Sequence, residues 1–176
     1  MSDGLDRHAE APELIALGRS IAEPAVQQVY REYVAAIDSI LHPEYLGLAM
    51  ETNLIRAIAP ASLYAAVKAL AALGENTLVA QNSTATRFIS VQVETASGRL
   101  PDVGHFVGID VDRADFPFIK AIGLSSYPFL AGFTDPSDVP ADYYARIVES
   151  SSATKLPSLV VEGGWSSGSV TGVTSS

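Results

Sequence analysis

The 176-residue sequence contains no cysteine. That removes disulfide frameworks, thiolate metal sites and cysteine nucleophiles together, and leaves the redox compartment open. Positive charge is scarce: 11 Lys and Arg stand against 20 Asp and Glu, a formal net charge of −9. No stretch concentrates the basic residues, so the electrostatic footprint of a nucleic-acid backbone is missing and no nucleic-acid partner is expected. No apolar run approaches the roughly 20 residues of a membrane helix, and no membrane partner is expected. The N-terminal stretch MSDGLDRHAEAPELIALGRS lacks a basic segment followed by an apolar one, so no signal peptide is read; an extracellular location would require one upstream. No G-x-G-x-x-G or phosphate-binding loop follows an apolar run, which takes support from nucleotide-binding folds. His8, His42 and His105 share no metal-ligand spacing, and neither a metal nor another cofactor is expected.

What is present is a globular composition, 48% apolar and 18% charged, at a length that suits one ordinary domain. AVQQVYREYVAAIDSIL (25–41) carries apolar residues at helical spacing, begun by Pro24 and stopped by His42-Pro43, and predicts an amphipathic helix. YLGLAM (45–50) is an apolar run without polar alternation, the pattern of a strand buried on both faces. ASLYAAVKALAAL (61–73) predicts a second helix, RFISVQV (87–93) a strand, and PADYYARIVES (140–150) a third helix. FIKAIGLSS (118–126) and LPSLVVE (156–162) predict the remaining strands, while residues 95–118 read as an elaborated loop with at most short elements. Strand-helix alternation with buried strands predicts an α/β fold with a parallel sheet of four strands in sequential order.

In parallel α/β architectures the carboxyl ends of the strands carry the chemistry. Here those ends offer Glu51 and Asn53, Gln92 and Glu94, Ser126 and Tyr127, then Glu162 and Trp165. Paired carboxylates suit glycoside cleavage, and Tyr and Trp offer faces for a sugar ring. Against this stands the bland reading, in which an acidic residue at a strand end is a solvated loop carboxylate or a helix cap. That reading wins for Glu94 and Asp110; pairing favours chemistry for Glu51 and Glu162. Trp165 serves equally as a packing residue.

Three of these stretches carry a family resemblance. YLGLAMETN resembles the end of the fourth barrel strand in clan A glycoside hydrolases, most like the endo-galactanase branch. IGLSSYPFLAG resembles the sixth strand end, where a Tyr stands beside the nucleophile, and LVVEGGWSS resembles the seventh. They occur in the family's order and span residues 25–165. The resemblance implies a (β/α)8 TIM barrel, of which this chain holds about the C-terminal half, strands four to seven, as a partial chain. Residues 1–165 would form that glycosidase-like domain and 166–176 a flexible Ser/Gly tail. It implies a retaining glycoside hydrolase acting on O-glycosidic bonds in a polysaccharide or oligosaccharide, a galactan-type substrate among the options. Glu51 would be the general acid/base and Glu162 the nucleophile. Tyr127 would hydrogen-bond Glu162, Trp165 would stack on the sugar, and Asn53 or Gln92 would touch substrate hydroxyls. The sequence departs from the family at Met50, where a sugar-binding Asn is expected, and in holding four of eight strands.

Gly164-Trp165-Ser166-Ser167-Gly168 also satisfies the G-x-S-x-G pattern of a serine nucleophile elbow. That fold needs a helix after the serine and a catalytic His later in the chain. The last histidine is His105, so the elbow fails and Glu162 is the residue to follow. The alternative to an enzyme is a non-catalytic barrel fragment or a degenerate protein that binds glycan or another chain.

Overall fold

A computed structural model describes residues 7–100, 105–149 and 155–165. Ser166 and the tail to Ser176 lie outside the described residues.

The chain begins with a short helix α1 (Pro12–Ala16) and then α2 (Pro24–Leu41), whose Pro24 occupies the first turn, where a missing N–H costs nothing. His42 ends α2 in the left-handed conformation, donating its N–H to the Asp38 carbonyl. Strand β1 (Tyr45–Ala49) follows, then α3 (Thr52–Ile58), α4 (Ala61–Ala80) and β2 (Thr86–Gln92). The segment read as an elaborated loop holds two short helices, α5 (Val93–Ala96) and α6 (Asp110–Asp115). Strand β3 (Ala121–Ser126), a single-turn helix α7 (Ala145–Glu149) and β4 (Ser158–Gly163) complete the order.

The four strands form one parallel sheet in the order β1-β2-β3-β4, as the alternation predicts. Leu48, Ile89, Val91, Ile122 and Leu124 share one hydrophobic cluster with Val34 of α2 and with Leu63, Val67, Leu70 and Leu78 of α4. Tyr30 of α2 donates its hydroxyl to the Leu48 carbonyl at 2.9 Å, tying the helix layer to β1. Helix α4 runs past residue 73 to Ala80, and Gly74 allows its close approach to α2: a Cβ there would stand 2.9 Å from the Tyr30 hydroxyl.

Side chains alternate between the faces of a sheet, so the opposite face carries Gly47, Phe88, Ser90, Gln92, Gly123 and Ser125. Phe88 fills the space its glycine neighbours leave. A Cβ on Gly47 or Gly123 would come within 2.8 and 2.9 Å of its ring.

The expectation that YLGLAM is buried on both faces is corrected. Only Leu48 of β1 is buried, and Tyr45 is exposed. Strand β3, with a neighbour on each side, is buried along its whole length. Strands β1 and β4 are edges, each hydrogen-bonded on one side among the described residues. Val160 of β4 is 61% exposed for the same reason. The apolar stripe of α2 is used in part: Val34 is buried and Val26 and Tyr30 pack on the core, while Val29, Tyr33, Ile40 and Leu41 face solvent.

Candidate active site

Because all four strands run in parallel, their carboxyl ends lie at one end of the sheet. Glu51 stands two residues past β1, after Met50, and caps α3 with φ 47° and ψ 46°, the left-handed region. A non-glycine residue there costs about 1–3 kcal/mol and persists only where its surroundings impose it. Three contacts impose it. The Glu51 N–H donates to Ser90 Oγ at 2.9 Å, Ser125 Oγ donates to Glu51 Oε1 at 2.8 Å, and Arg7 Nε donates to Oε2 at 2.7 Å. The side chain is buried, with 6% of the residue exposed.

Glu162 reaches the same side through an irregularity. Leu124 pairs with Val160, but Ser125 pairs with Glu162, so β4 holds one extra residue opposite β3. A one-residue slip turns each side chain to the other face. Without it Val161 would stand beside Ser125 and Glu162 would face the helix layer. With it, Glu162 joins Ser125, which itself holds Glu51. The Tyr127 hydroxyl donates to Glu162 Oε1 at 2.6 Å, while Oε2 is buried with no hydrogen-bond partner among the described residues.

Tyr127 records the electrostatics of this end of the sheet. Its hydroxyl is pushed up to about 12, first by the hydrogen bond to Glu162, then by burial and by the charges of Glu162 and Glu51, with Arg7 opposing. Both carboxylates and the guanidinium therefore act on one phenol. Trp165, half-buried, shares with Glu162, Ser126, Pro128 and Tyr144 the lining of a cavity of about 580 Å³.

Asn53 and Gln92, expected at substrate hydroxyls, are turned inward instead. Asn53 is 1% exposed; its amide nitrogen donates to the Gln92 carbonyl at 2.8 Å and its oxygen accepts the Gln92 N–H at 2.8 Å. This mimics one rung of a sheet and clamps α3 to the end of β2. Gln92, 3% exposed, accepts the Thr95 N–H at the start of α5 and donates to Glu94. Buried amides must be satisfied, and these two satisfy each other's neighbourhood.

Four residues outside the expected set shape the site, Arg7, Ser90, Ser125 and Tyr143, and Glu94, expected as a solvated strand-end carboxylate, joins them. Small hydroxyl residues at strand ends, as in Leu124-Ser125-Ser126, are the signal for the serines. Arg7 carried none, because its contact spans 44 positions. Beneath α3, Asp112 accepts from Thr52 Oγ1 at 2.8 Å and from Arg56 at 3.0 Å, and burial still pushes its carboxyl up. It holds the helix that begins at Glu51. Among the described residues no group of three His, Asp or Glu is placed to hold a metal ion.

No protein-family model, curated protein or solved structure matches this chain.

Proposed function

We propose that this protein is a retaining glycoside hydrolase of the clan A type, cleaving O-glycosidic bonds in a polysaccharide or oligosaccharide. The observation that carries the reading is the asymmetric pair of carboxylates. Glu51 lies just past β1 and Glu162 near the end of β4, Ser125 binding the first and pairing with the second, and of the two only Glu162 has an oxygen without a hydrogen-bond partner among the described residues. A nucleophile needs a free lone pair and a partner that fixes its other oxygen. Tyr127 is that partner. An acid/base needs a held geometry from which a proton is passed to and from the glycosidic oxygen, and the constrained backbone of Glu51 supplies it. In the first step Glu162 attacks the anomeric carbon while Glu51 protonates the leaving oxygen. In the second, Glu51 takes a proton from water, which displaces Glu162. Trp165, in the cavity beside Glu162, offers the ring face on which a sugar stacks. A galactan-type substrate follows the endo-galactanase resemblance.

The same reading completes the sheet as a (β/α)8 barrel. The face with Phe88 between Gly47 and Gly123 has the large-against-small alternation of a barrel interior, and the two edges are where further strands would pair.

Mechanism-based labelling tests it. Aryl 2-deoxy-2-fluoroglycosides trap the glycosyl-enzyme of retaining enzymes, so intact mass and peptide mapping should find one sugar on Glu162. Label elsewhere, or none across gluco, galacto, manno and xylo reagents, overturns the assignment.

A second reading has two observations behind it. Met50 stands where the family carries Asn, and Arg7 occupies Glu51 Oε2. Both suit a glycan-binding protein without turnover. Calorimetric binding of galactan oligosaccharides with no release of reducing ends would favour it.

A further inference from the structure

Glu94 is fully buried. A carboxylate so far from water is tolerated only when its lone pairs are filled, and here four donors fill them. Oε1 accepts from Ser126 Oγ at 2.9 Å, from the Tyr127 N–H at 3.1 Å and from the Tyr143 hydroxyl at 3.0 Å. Oε2 accepts from Gln92 Nε2 at 2.5 Å. Two of these donors belong to the end of β3, where the chain turns into Tyr127. The fourth belongs to a residue whose backbone is clamped by Asn53, two positions after Glu51. The guanidinium of Arg99 lies 5.4 Å from the Tyr143 ring centre, so Glu94 and its tyrosine have a cation nearby.

We propose that Glu94 is a positioning residue: from beneath the strand ends it holds the Ser126–Tyr127 turn in the one conformation that keeps the Tyr127 hydroxyl on Glu162. The hydrogen bonds run without a break from Asn53 through Gln92, Glu94 and Tyr127 to Glu162, so the mutual placement of the two outer carboxylates depends on this buried one. Its consequence for turnover rests on the glycosidase reading; its hold on Tyr127 does not. The largest cause of the raised Tyr127 phenol is its hydrogen bond to Glu162. Losing that bond should therefore dominate the change in its titration, and an exchange of Gln92 and Glu94 keeps the buried charge while restoring the bonds.

The chemistry of the two side chains supplies a clean test. In Glu94→Gln an amide nitrogen must face one set of donors, whichever way it turns. In the exchange Gln92→Glu/Glu94→Gln, the carboxylate now at position 92 accepts both from the amide now at position 94 and from the Thr95 N–H. Every bond is restored with the charge kept. Glu94→Met removes all the acceptors at similar volume. The full chain with ring-labelled tyrosine is titrated by NMR, with the Tyr127 resonance assigned through Tyr127→Phe and folding checked by near-UV circular dichroism. The native phenol should titrate near 12. Glu94→Met should bring it toward the ordinary value of about 10, a roughly 100-fold rise in acidity. Glu94→Gln should move it the same way, and the exchange should return it toward the native position. The proposal is overturned if folded Glu94→Gln leaves Tyr127 titrating near 12, whether or not its melting temperature falls, or if the folded exchange stays as acidic as Glu94→Gln. Should Glu94→Met fail to fold, the other two variants decide. Absence of label on Glu162 with a restored titration in the exchange would remove the glycosidase reading and leave this inference standing.

Discussion

Glu51 and Glu162 differ in what each carboxylate still has to offer. Both oxygens of Glu51 accept hydrogen bonds, from Ser125 and Arg7, whereas Glu162 keeps one oxygen unpartnered beside the one held by Tyr127. On the glycosidase reading, Glu162→Ala should abolish turnover. Glu51→Ala should slow substrates with poor leaving groups by about 10²–10⁴-fold, the usual worth of general acid catalysis, and slow activated aryl glycosides far less. A kcat/KM series against leaving-group acidity checks this, and equal loss along the series speaks against the acid/base role. Tyr127 supplies a pH signature at the same scale. Its phenol is raised in the folded state, so its contribution to stability is complete below the unfolded value of about 10 and is lost as pH rises toward 12. Tyr30, Tyr64 and Tyr143 are raised as well, chiefly by burial. The comparison with Tyr127→Phe isolates the one tyrosine: over pH 10–12 the variant's denaturation midpoint should fall less steeply than that of the native chain.

Among the elements, the sheet is set by what fits between its strands. Gly123 lies against Phe88 and Ser90 of β2, and an added Cβ would meet them at 2.9 and 3.0 Å. Strand β3 cannot shift, being hydrogen-bonded to β2 and β4 together. Gly123→Ala should therefore cost about 1–3 kcal/mol, the range for overpacking, read as a lower urea midpoint at unchanged slope. Coupling with Phe88→Leu should recover part of the loss, since the clash is with that ring. The β4 irregularity works on the same strands to a different end. It gives up regular pairing at one residue and brings Glu162 onto the face where Ser125 and Glu51 already stand.

At the scale of the molecule, two sheet edges have no further strand among the described residues, and several apolar side chains are exposed. Tyr45, Val160 and Val161 are exposed along β1 and β4, and Val29, Tyr33, Ile40 and Leu41 along α2. Unpaired strand edges recruit other strands, and exposed apolar side chains along them favour association. The chain should therefore associate or melt broadly. Size-exclusion chromatography with light scattering and a thermal scan checks this; a compact monomer melting cooperatively would contradict it.

Local pattern alone was enough for the four strands, for helices α2 and α4, for the parallel sheet and for the presence of Glu51, Tyr127 and Glu162 near strand ends, whereas the helix expected over 140–150 is only the single turn α7. Helical spacing in 25–41, β-branched runs in 87–93 and proline stops are short-range signals, and the sheet follows from their alternation. Helix α3 is illegible because it begins only two residues after β1, capped by a left-handed glutamate that no propensity anticipates. Side-chain direction was illegible for a different reason. Whether Glu162 faces the site or the helix layer depends on one extra residue opposite Ser125, and register is a property of two strands rather than of either sequence. Asn53 and Gln92 carry the same polar groups whether they face a sugar or each other; packing turned them inward. Glu94 reads as a solvated carboxylate because its four donors come from β2, from β3 and the residue after it, and from the segment before α7, and only the folded chain brings those together over one side chain.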